Sequence, residues 1–246
     1  MNSSTLAAIT LQPQKSYARV IKVVGIGAVG ATAIAQLSLK NNPYLECISF
    51  SPESATAAIS YGRESAADEA YQLLLHDTDM LFIATAANDT SAIKLAAMAH
   101  ALGVLTVAVL ASDAAIHQAN FAADSFFTTE AEHLPEVLQQ VVHGLVDSVH
   151  QAGLLNMDSE GIQHFLHNQG RAQVGASGAV GATRAQQAAA QALRREMSDA
   201  SKVLITVTSS SALKLSELEC VPNTVAQTLP NAMLLVSSVF DEGVVV

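Results

Sequence analysis

"VIKVVGIGAVGATAIAQL", Val20 to Leu37, is the stretch on which the fold class turns. Its first half is an apolar, β-branched run interrupted by Lys22 alone, the pattern of a strand buried on both faces. Its second half is rich in alanine and suits a helix. Between them Gly25, Gly27 and Gly30 fit G-x-G-x-x-G. That spacing lets a strand turn tightly into a helix whose first amides can hold a phosphate. The reading is a strand over 20–25 and a helix from Ala31 to about Lys40. Three uses of the loop stay open on these residues: a dinucleotide site, another phosphate site, or a tight turn in which Gly30 permits close helix packing.

Outward from this stretch the pattern repeats. "LECISFSP" reads as a second strand, "AADEAYQLLLHD" as a helix, and "DMLFIATAA" as a third strand ending in the polar turn "NDTS". "AIKLAAMAHAL" is a helix, "VLTVAVLA" a fourth strand and "ADSFFTT" a fifth. Strands this apolar, alternating with helices, imply a parallel sheet covered on both faces. Next, Leu134, Val137, Leu138, Val141, Val142, Leu145, Val146 and Val149 form one helical stripe. The helix that carries it is roughly 27 Å long. After it come "GIQHFLHNQGRAQVG", the glycine-rich "GASGAVGAT", the Ala-rich helix "RAQQAAAQALRREM", the strand "KVLITVTSSS", a helix around Asn223 to Thr228, and the strand "AMLLVSSVF". We read an N-terminal extension at 1–19, a nucleotide-binding-like α/β domain at 20–133, a central helix at 134–151 and a smaller C-terminal α/β domain at 152–246.

Composition narrows the function classes. The 246 residues are 50% hydrophobic and carry 12 basic against 22 acidic side chains, a net charge of -10. Nucleic acid and anionic membrane are poor partners for such a surface. The apolar stretch "LAAMAHALGVLTVAVLAS" is divided by His100 and Gly103 and reads as helix, turn and strand, not as a membrane span. Cys47 and Cys220 read as reduced thiols. The first nineteen residues lack the pattern of a signal peptide, so a cytoplasmic location is expected.

The ordered series resembles FtsZ, the bacterial member of the tubulin family. "IKVVGIGAVGATAI" is similar to the first strand and first phosphate loop. "DTDMLFIATAA" with "LAAMAHALGVLTVAVL" is similar to the next strand, helix and strand. "GLLNMD" after the long helix is similar to the synergy loop, and "GRAQVGASGAVGATRAQQAAAQA", "KVLITVTSSSALKLSELE" and "AMLLVSSVFDEG" follow the second domain in order. The resemblance implies a tubulin/FtsZ-like α/β fold, GTP or GDP as ligand, cell-division or cytoskeletal work, and a partner that is another copy or another FtsZ-like protein. It assigns the nucleotide to Gly25, Gly27, Ala28, Gly30, Thr32 and Thr90, and the synergy-loop acids to Asp158 and Glu160.

The site residues depart from the family pattern. A first loop of G-x-G-G-G-G-G-N is matched by Gly25 to Thr32, with Thr32 in place of the asparagine. The G-G-G-T-G-T-G signature is matched by the shorter "NDTSA", which has no glycine. Asp89 there would repel a triphosphate, and Thr90 or Ser91 reads equally as a helix cap. The guanine-reading Phe and Asp fall by count on Ala131 and Pro135. The synergy loop N-x-D-x-x-D keeps Asn156 and Asp158, has Gly161 at the second acid, and places Glu160 one residue early. Both acids also read as helix-start residues. The expectation is a degenerate FtsZ-like protein, a pseudo-GTPase without efficient hydrolysis.

The alternative is a Rossmann-type protein or sensor binding NAD or another nucleotide through Gly25 to Gly30, with Glu53 near the ribose position. His143 with His150, and His164 with His167, have spacings that could share a helix face. No cysteine pair or H-E-x-x-H completes a metal set, so no metal is expected.

Overall fold

The computed structural model describes residues 20–37, 45–50, 64–112, 121–193 and 197–243. Six strands form one parallel sheet: β1 (Ile21–Ile26), β2 (Leu45–Phe50), β3 (Met80–Ala86), β4 (Leu105–Ala111), β5 (Ser125–Thr129) and β6 (Gly170–Ala172). Their order is β2-β1-β3-β4-β5-β6. β1 and β4 are buried throughout and β3 all but its last residue, which is why they are apolar apart from Lys22, Thr85 and Thr106. β2, at the edge, alternates half-buried and exposed residues over most of its length.

Helices cover both faces. On one lie α1 (Gly27–Gln36) and the long α4 (Leu134–His150), whose Leu134, Leu138, Val142 and Leu145 share a core with Val23, Phe82 and Val109. On the other lie α2 (Glu64–Leu75) and α3 (Thr90–Ala101), whose Tyr71, Leu75, Leu95 and Ala99 pack against Val24, Leu81 and Ile83. Lys22, the cation in β1, is buried. Its Nζ donates to the carbonyls of Leu74 at 2.6 Å and His76 at 3.3 Å, where α2 ends and its dipole favours a positive charge.

A second sheet pairs β7 (Lys202–Ser209) with β8 (Met233–Phe240) in parallel. α5 (Ser159–Leu166), α6 (Arg184–Ala192) and α7 (Leu215–Thr228) complete the described elements. Leu204 and Leu235 pack against the core that α4 shares with the first sheet, and the Thr206 hydroxyl donates to the Gly144 carbonyl at 2.8 Å. The central helix therefore serves both sheets.

Three local readings change. α1 begins at Gly27, directly after the strand, so Gly27 to Gly30 are helical residues and not a loop. The helix read around Asn223 starts at Leu215 and passes through Pro222, the residue that obscured it in the sequence. The strand-like chain after α5 joins the first sheet, because β6 pairs with β5. There the buried Asp124 carboxylate accepts from the amides of Thr106 at 2.9 Å and Asn168 at 3.3 Å, and its Oδ1 lies 2.7 Å from His167 Nδ1.

Candidate functional site

Sheet order reverses between β1 and β3, since β1 sends the chain outward to β2 and the chain returns to β3 on its other side. The carboxyl ends of those two strands border the crevice in which open α/β sheets hold ligands. Gly27 stands at that end with a φ of 71°, a backbone angle that favours glycine. Gly30 is buried one turn on, and a Cβ there would run into the Ala84 carbonyl oxygen and the backbone of Gly25. Gly25 and Gly30 thus let α1 lie directly on β1 and β3. Ala28 is exposed, while Val29 is half-buried and packs against the core. The Thr32 hydroxyl turns back to donate to the Ala28 carbonyl at 2.9 Å.

From the end of β3 the chain makes a short turn into α3. Asp89 caps that helix: its Oδ1 accepts from the amides of Ser91 at 2.9 Å and Ala92 at 3.1 Å. The cap expected at Thr90 or Ser91 is therefore one residue earlier, and Thr90 is the exposed first residue of α3. Asp89 Oδ2 lies 3.3 Å from where a Cβ on Gly27 would stand. One carboxylate thus sits between the starts of α1 and α3, where backbone amides and helix dipoles favour an anion. Beside it, Ser91 hydrogen-bonds the Tyr71 side chain, whose phenol is raised above its ordinary range chiefly by burial. Lys94 pairs with Asp68 across α2 and α3. At the end of β3, the fully buried Thr85 hydroxyl has no hydrogen-bond partner among the described residues.

The structure brings Gly25 to Thr32 together with Asp89 and Thr90, and leaves the synergy-loop acids elsewhere. α4 begins after the carboxyl end of β5 and runs 17 residues to the opposite end of the sheet, about 25 Å away. Asp158 and Glu160 follow it there. Asp158 caps α5, its Oδ1 accepting from the Gly161 amide at 2.7 Å, and Glu160 is exposed in the first turn. Within one chain these acids do not reach the crevice. Ala131 is exposed in the 3-10 turn before α4, and Pro135 occupies the helix's first turn. Glu53 lies outside the described residues.

The histidine pairs do not converge on shared ligand sites. His143 Nδ1 lies 2.8 Å from Asp147 Oδ2, His150 Nδ1 lies 3.1 Å from the Val146 carbonyl, and His167 meets Asp124. Among the described residues, the trio whose ligand atoms come together is Glu130, Glu132 and His133, all exposed. Sequence reasoning misread Asp89 and passed over Tyr71, a core residue that meets Ser91 at the start of α3. Asp89 was read as a repulsive charge, although an aspartate two residues before a helical Ser91 is also a cap signal. Tyr71 carried no signal, because its contact with Ser91 is tertiary.

No family model matches the chain. The cell division protein FtsZ of Azotobacter vinelandii is 25% identical over 90% of this chain and 73% of its own length. That of Pseudomonas aeruginosa is 24% identical over the same shares. Among solved structures, an empty FtsZ dimer of M. jannaschii superposes with a TM-score of 0.75 at 23% identity, covering 92% of this chain and 84% of that one. A tryptophan-to-tyrosine FtsZ mutant of the same organism gives 0.74 at 22% identity, covering 92% and 87%. This chain is similar in sequence to FtsZ and has the tubulin/FtsZ-like fold. The parallel sheet, central helix and second sheet are that fold. Among the described residues of this FtsZ-like chain, no helix is long and apolar enough to cross a membrane.

Proposed function

We propose that this FtsZ-like chain is a degenerate member that does not hydrolyse GTP efficiently and works by associating with itself or with another FtsZ-like protein, in a cell-division or cytoskeletal accessory role. The observation that carries the reading is the Asp89 carboxylate on the first amides of α3, at the place that matches the family's glycine signature. Those amides would otherwise face phosphate. A negative charge held there opposes a triphosphate by Coulomb repulsion and occupies the donors it would use. Thr32, matching the family asparagine, commits its hydroxyl to its own helix. These residues do not fit a nucleoside triphosphate, and no hydrolytic step is assigned to Asp158 or Glu160.

The self-association part rests on the relatives, one of whose structures is described as a dimer. Nucleotide-stripped protein titrated with GTP, with NAD as control, tests the site. The expected outcome is no saturable binding of either and no phosphate release, with assembly in sedimentation that GTP does not alter. Micromolar GTP binding with turnover would overturn the reading. Binding of NAD alone would transfer the crevice to the Rossmann alternative.

A further inference from the structure

We draw no further inference here: the strongest candidate, the exposed cluster of Glu130, Glu132 and His133 in the turn between β5 and α4, is a surface group of acids beside one imidazole, and nothing among the described residues points to a ligand there.

Discussion

Asp89 joins two roles that a sequence pattern keeps apart. It ends the turn after β3 by capping α3, and it brings its second oxygen close to Gly27. Removing it should cost stability and should not simply open a site. Asp89→Ala is expected to destabilise the chain by about 1 kcal/mol in urea unfolding, the usual loss when a capping acceptor is removed. Asp89→Asn retains an acceptor for the same amides and should recover most of that loss. Equal losses for the two variants would mean that the charge, not the hydrogen bonds, holds the helix start. Asp158 is the counterpart at the other end of the molecule, where a residue read as a candidate catalytic acid is engaged by the Gly161 amide.

At the scale of elements, α6 and α7 are tied together by one ion pair. Arg184 opens α6 and reaches Glu217 in the first turn of α7 through two bonds, Nε to Oε1 at 2.7 Å and the terminal nitrogen to Oε2 at 3.1 Å. Glu217 Oε2 also accepts from the Lys214 amide at 3.0 Å. The bond from Arg184, with that amide, holds the Glu217 carboxyl at about 2, against an ordinary 4.5. Because the folded value lies below the unfolded one, the pair stabilises the fold fully above about pH 4.5, and its contribution falls away as pH drops toward 2. Glu217→Gln should therefore be less stable than wild type at neutral pH, and the difference should shrink steadily through that window in acid titrations followed by circular dichroism. A difference independent of pH would assign the effect to packing.

At the scale of the whole molecule, α4 is the shared support. Its stripe packs against Val23, Phe82 and Val109 of the first sheet and against Leu204 and Leu235 of the second. Loss of volume in the middle of that stripe should loosen both. Leu138 is fully buried, and Leu138→Ala is expected to cost about 2–5 kcal/mol. Hydrogen exchange should then accelerate at β3 and at β7 together. Acceleration confined to the first sheet would show that the two units unfold separately.

The sequence by itself determined the class of the fold. Buried parallel strands are nearly continuous apolar runs, and the α4 stripe recurs at helical spacing, so "VIKVVGI", "MLFIATA" and "LPEVLQQVVHGLVDSVH" each declare their element through local chemistry alone. The helix through Pro222 was legible only in part, because a proline inside a helix carries a breaker's signal that packing of Leu218, Val221 and Val225 overrides. Tertiary structure alone decided which residues border the crevice. Spacing made Gly25, Gly27 and Gly30 equally fit for a dinucleotide, a phosphate or a packed turn. The fold sets beside them Ala84, which α1 approaches across Gly30, and Asp89, some sixty residues on, whose oxygens reach the amides of α3 and the edge of Gly27. Contacts between residues so distant in the chain leave no periodicity to read, because folding, and not spacing, brings them together.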